Sequence, residues 1–180
     1  MRTTALVLGL VFAVSASARQ PDTLALEGYS SIALTRLKTG HLTLRVRING
    51  ISGRFVLDTG AGRSVIESAR QEKFRLGRLD RNTAVATGAG GSVPLRMSHG
   101  NRLQIGDYQD YGFTAYLMPL EQVNLAFLRR GQERIDGVIG ADVLRSGRAV
   151  IDYASATLHL QPKAAPAATP PDKTTRPGTR

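Results

Sequence analysis

The sequence predicts a mainly β fold: a closed barrel of six or more short strands, with one or two short helices. Three observations predict it. Apolar and polar residues alternate through the middle of the chain, the period-two signature of half-buried strands. Turn residues punctuate that pattern, as at Asn49-Gly50, Gly106-Asp107 and Ala154-Ser155, and short strands spaced this way favour barrels. Helix-forming stretches are few and short, and no unit of roughly 20 to 50 residues repeats.

The two ends of the 180-residue chain lie outside the expected barrel. Residues 1–18 read as a secretory signal peptide. Arg2 supplies its positive charge, Ala5 to Val14 an apolar run, and Ala16-Ser17-Ala18 a small-x-small cleavage site. The run is too short to span a bilayer as a helix. The alternative is an N-terminal anchor that is kept. Either way the expected location is outside the cytoplasm, periplasmic or secreted. Residues 19–33 are expected to form an extension and 34–161 one domain. Residues 162–180, rich in Pro, Ala, Thr and basic residues, have no apolar pattern to bury and are expected to be a disordered tail. The chain has no cysteine, so an extracytoplasmic domain must rely on core packing or association.

In His41 to Ile48 the apolar positions are Leu42, Leu44, Val46 and Ile48, with Thr43, Arg45 and Arg47 between them. This is a half-buried strand. Asn49-Gly50 is a strong hairpin signal, and Phe55-Val56-Leu57 continues as a strand apolar on both faces. Glu67 to Phe74 has helix formers and predicts a short helix. Strands are expected at Val93–Met97, Arg102–Ile105 and Phe113–Leu117, with Gly106-Asp107 turning between the last two. A helical turn is expected over Asn124 to Arg130, a short strand at Val138-Ile139 and a helical turn over Ala141 to Arg145. Ala149–Tyr153 and Thr157–Leu160 close the chain as a hairpin.

The sharpest local feature is Asp58, placed directly after three apolar strand residues and followed by Thr59-Gly60-Ala61. An unpaired buried carboxylate is costly and tends to be protonated or to share a proton with a partner. Thr59-Gly60 suits a tight loop that turns the carboxylate outward, with Gly60 permitting close backbone approach. An Asx turn at a strand end would use the same residues. What raises Asp58 above that reading is the wider pattern. Ser64-Val65-Ile66 follows it, then about seventy residues of short strands, then Gly137-Val138-Ile139-Gly140.

This combination resembles the retropepsin-like aspartic proteases, in particular their bacterial single-domain members, over roughly Leu34 to Leu160. Asp58-Thr59-Gly60-Ala61 matches the family's catalytic loop. Asp136-Gly137-Val138-Ile139-Gly140-Ala141-Asp142-Val143-Leu144 resembles its second signature, in which Val138, Ile139 and Gly140 would pack beside that loop. The resemblance implies an acid-protease-type barrel and an aspartic-type endopeptidase with Asp58 as catalytic residue. Such enzymes pair two carboxylates that share one proton. This chain has one Asp-Thr-Gly, so the resemblance implies a homodimer supplying two copies of Asp58, with Thr59 hydrogen-bonding across the two-fold axis. Thr83 to Val93 would be the substrate-covering flap, with Thr87, Gly88, Ala89, Gly90 and Gly91 at its centre and the glycines giving it freedom to close. A plain flexible hairpin would look the same. The flap aligns poorly with retroviral members and the barrel is longer, so substrate choice does not transfer.

Other chemistries find no support. His41, His99 and His159 lack metal-ligand spacing, no Ser sits in a nucleophile elbow, and the glycines around Gly88 to Gly91 lack a phosphate-loop ending. No metal or other cofactor is expected. The formal net charge is +10, which favours weak contact with anionic envelope surfaces or simply keeps a solvated surface soluble. No basic run is interleaved with aromatics, as a single-strand binder requires, so the expected partners are a peptide or protein substrate and a second copy, not nucleic acid. The competing readings are a catalytically inactive binding or dimerisation module on the same fold, and an envelope-surface binder whose charge is its function.

Overall fold

The computed structural model describes residues 26–80, 84–88 and 91–163, and these described residues form eleven strands and two short α-helices. The strands are β1 (Ser30–Ala33), β2 (Thr35–Arg36), β3 (Leu42–Ile48), β4 (Ile51–Leu57), β5 (Val65–Glu67), β6 (Ala84–Gly88), β7 (Gly91–Ile105), β8 (Tyr108–Met118), β9 (Gly137–Ile139), β10 (Val150–Asp152) and β11 (Thr157–Leu160). The helices are α1 (Glu121–Arg129) and α2 (Ala141–Ser146). Six strands close on themselves in the order β3-β4-β9-β5-β8-β7, the last returning to β3. This is the closed barrel that the alternation predicts. β2 extends β3, β6 extends β7, and β1-β11-β10 form a separate three-stranded sheet.

The β3–β4 hairpin follows from its residues. Leu44, Val46 and Ile48 are buried while Arg45 and Arg47 are exposed. Asn49 and Gly50 take φ of 49° and 82° between the paired Ile48 and Ile51, and residues that tolerate positive φ are what such a two-residue turn demands. Phe55, Leu57, Ile66 and Ile139 point into the barrel core, with Leu103, Ile105, Tyr108 and Leu117. The intervening residues Val56, Val138 and Val65 lie in register as one row across three strands and join a second apolar cluster with Phe127 of α1, Leu120 and Ile135. Both faces of these strands are therefore covered, as their unbroken apolar runs require.

Several expected elements differ. Glu67 to Phe74 is not an α-helix but a single 3-10 turn at Ser68–Arg70 followed by further turns. The Glu67 carboxylate is diverted to the backbone N–H groups of Ala69 and Leu120, at 3.4 and 2.6 Å. Arg75 takes φ of 50° and ends the segment, leaving too little span for a regular helix. Val93–Met97 and Arg102–Ile105 are one strand, β7, carried through an irregular register between Ser98 and Leu103. α1 begins at Glu121, ahead of the expected Asn124. Ser30–Ala33, within the segment expected to precede the domain, pairs in register with β11. The expected signal peptide and most of the tail lie outside the described residues.

Candidate active site

The Asp58 loop is held from below by β9. This strand lies between β4 and β5, parallel to the first and antiparallel to the second. As β4 ends, the Asp58 N–H donates to the Ile139 carbonyl at 3.0 Å. The chain then turns, and the Gly60 N–H donates to Asp58 Oδ1 at 2.9 Å. Asp58, Thr59 and Gly60 are exposed and Ala61 is half-buried. Gly60 N–H is the one hydrogen-bond donor to the Asp58 carboxylate among the described residues. The carboxylate opens on a groove of about 420 Å³ lined by Leu57, Thr59, His41 and Tyr153.

Gly140 and Gly137 are glycines because backbone passes too close for anything else. A Cβ on Gly140 would lie 2.7 Å from the Ala61 and Arg63 carbonyl oxygens, and one on Gly137 would lie 2.3 Å from the Val65 carbonyl. Ile139 is wholly buried in the barrel and Val138 is half-buried on the other face. The Ala141 N–H donates to the Ala61 carbonyl at 2.7 Å, so the start of α2 is fastened to the loop.

The far end of the loop is locked by a pair that local sequence reasoning missed. Asp142 accepts hydrogen bonds from the Ser64 N–H at 2.9 Å and the Ser64 hydroxyl at 2.7 Å. Ser64 Oγ in turn accepts from the Gly140 N–H at 2.9 Å. Asp142 also accepts from the Val143 N–H, in the first turn of its own helix, at 2.8 Å. Charge-assisted bonds to a carboxylate are among the stronger kind, and Ser64 is almost fully buried. Asp136 does similar work one strand away. It accepts from the Arg54 N–H at 3.0 Å and pairs with Lys73 at 2.8 Å and Arg70 at 3.1 Å. Both carboxylates of the second signature thus have structural partners.

The remaining site residues sit as follows. Thr87 pairs with Ser92 and Gly88 with Gly91 between β6 and β7, while Ala89 and Gly90 lie outside the described residues. Behind the groove, Asp152 closes the β10–β11 turn. It accepts from the Ser155 hydroxyl at 2.6 Å and the Ala154 N–H at 2.8 Å. The Ser155 hydroxyl first, then the Ser155 N–H at 3.3 Å and the Ala154 N–H, hold its carboxyl below the ordinary aspartate value.

Comparison with known proteins agrees with this architecture. The model of the aspartyl protease family matches residues 44–143, a span that holds both the Asp58 loop and the Gly137–Asp142 segment that supports it. A retropepsin-like aspartic protease from Rickettsia conorii shares the fold at 19% identity, covering 77% of this chain and 94% of that one, with a TM-score of 0.50. EIAV protease, solved with an inhibitor, aligns at 19% identity over 66% of this chain and 98% of its own, with a TM-score of 0.49. No curated protein matches the sequence. The chain has a retropepsin-like barrel and belongs to the aspartyl protease family.

Proposed function

We propose that the protein is an aspartic-type endopeptidase of the cell envelope, with Asp58 as its catalytic residue and a homodimer as its active form. One observation carries the reading. Asp58 is a solvent-facing carboxylate on a loop fixed at both ends, with a single backbone N–H on one oxygen. Asp136 and Asp142 are committed to structural partners, which supports assigning the second catalytic carboxylate to another copy. Two-fold symmetry supplies it as a second Asp58.

In this mechanism the two carboxylates share one proton, because both cannot ionise at contact distance. The ionised one takes a proton from water as its oxygen adds to the scissile carbonyl carbon. The protonated one donates to the carbonyl oxygen. Collapse of the resulting gem-diol breaks the C–N bond, and the departing nitrogen takes a proton. The β6–β7 hairpin covers the substrate, and the residue 1–18 segment directs the chain out of the cytoplasm.

The test is Asp58→Asn in the full chain, read on a peptide library together with sedimentation at micromolar concentration. The reading expects a dimer and loss of cleavage. Equal cleavage by the variant refutes the assignment, and a strictly monomeric wild type favours an inactive module on the same fold.

A further inference from the structure

The outer wall of the barrel carries a cluster of arginines that the peptidase reading does not use. Alternation along β3 sends Arg45 and Arg47 outward, and both are exposed. Register then sets Arg45 directly opposite Arg54 on β4. It sets Arg47 opposite Gln104 on β7, two residues from the exposed Arg102. Like charges directly opposed on one sheet face destabilise it, so this register is unfavourable unless the charge is answered.

Among the described residues one acid answers it: Glu133 reaches Arg54 at 2.5 Å. The other contacts are neutral. Arg47 donates to the Gly50 carbonyl at 3.3 Å. Arg102 donates to Gln109 and lies over the Tyr111 ring, 5.1 Å from its centroid. Neighbouring strands lie about 4.8 Å apart and alternate residues about 7 Å apart. The exposed Arg45, Arg47 and Arg102 guanidinium groups therefore share a patch roughly 15 Å across, within about two Debye lengths at physiological salt, beside the ion-paired Arg54, and act on an anion together.

We propose that this face, formed by the exposed Arg45, Arg47 and Arg102 with Tyr111 at its edge, docks the protein on an anionic phospholipid surface. Guanidinium forks match phosphate oxygens. Tyr111, 40% exposed, presents the amphipathic ring that suits a water–lipid boundary. A single exposed aromatic gives no platform for stacking successive bases, so the face fits a lipid surface better than a single-stranded nucleic acid. The proposal does not depend on the peptidase reading.

The experiment is co-sedimentation of the full chain with phosphatidylcholine vesicles, with and without about one-third phosphatidylglycerol, across a salt series. The expected result is binding that requires phosphatidylglycerol and falls steeply with salt. Each arginine replaced should cost roughly fivefold in partitioning, so R45Q/R47Q/R102Q should bind on the order of a hundredfold more weakly. R45E separates docking from folding, because it sets a negative charge opposite Arg54: its melting temperature should hold or rise while vesicle binding falls. Equal binding to both vesicle types, or wild-type binding by the triple variant, overturns the proposal. Tighter binding of duplex DNA than of phosphatidylglycerol vesicles at equal salt also overturns it, by assigning the face to a soluble polyanion.

Discussion

Replacing Asp142 with alanine removes the acceptor for three groups at once: the Ser64 N–H, the Ser64 hydroxyl and the Val143 N–H, at 2.9, 2.7 and 2.8 Å. The hydroxyl can rotate toward another acceptor. The two backbone N–H groups cannot, since Ser64 and Val143 are almost fully buried. A buried donor left without a partner costs about 1–3 kcal/mol, so stranding two in Asp142→Ala should lose roughly 2–6 kcal/mol. For a domain of this size that lowers the melting temperature by about 10 °C. Asp142→Asn keeps one acceptor oxygen and loses the charge, and should cost about 1 kcal/mol. Urea unfolding followed by circular dichroism measures both. If alanine and asparagine variants both unfold within about 0.5 kcal/mol of the wild type, the Asp142–Ser64 clasp is not what holds the loop.

Three further outcomes follow from the same geometry. Gly140→Ala forces a methyl to 2.7 Å from two backbone carbonyls, and should destabilise by about 3 kcal/mol or prevent folding, read by the same unfolding curves. Asp58→Asn alters an exposed side chain, so its unfolding midpoint should stay within about 0.5 kcal/mol of wild type while peptide cleavage is lost; a large stability change would show that the carboxylate is structural. Because the folded-state value of Asp152 is depressed, its contribution to stability is present above the unfolded aspartate value and is lost as pH falls through the folded one. Asp152→Asn should therefore be less stable than wild type at neutral pH. The two should converge in acid below the usual aspartate range; a gap that is independent of pH would contradict the assigned cause.

Local chemistry made the β3–β4 hairpin readable, because alternation and Asn49-Gly50 act within a dozen residues. The Asp58 loop was readable for the same reason. β7 was not, because its polar stretch Ser98-His99-Gly100-Asn101 looks like a turn. Asn101 rescues it as a strand irregularity: its side chain donates to the Ser98 carbonyl at 2.8 Å and accepts from Asn49 at 2.9 Å. Glu67 to Phe74 has helical composition, but a tertiary bond from Leu120 to Glu67 and ion pairs to Asp136 decide its form. The Ser64–Asp142 clasp joins residues 78 apart in sequence, where neither periodicity nor turn chemistry can point. Apolar-Gly spacing in Gly137–Gly140 was its nearest trace, legible through the family resemblance alone.

The position of β9 has a consequence for how the molecule comes into being. Because residues 137–139 lie between β4 and β5, the barrel wall has a gap until that late segment is made. A nascent chain that has passed Asp58 but not yet reached Asp142 has neither the strand beneath the loop nor the clasp at its end. Such non-local closure is slow relative to hairpin formation. The carboxylate loop is thus among the last parts to become rigid, and a chain truncated before residue 137 would leave Asp58 on an unsupported turn.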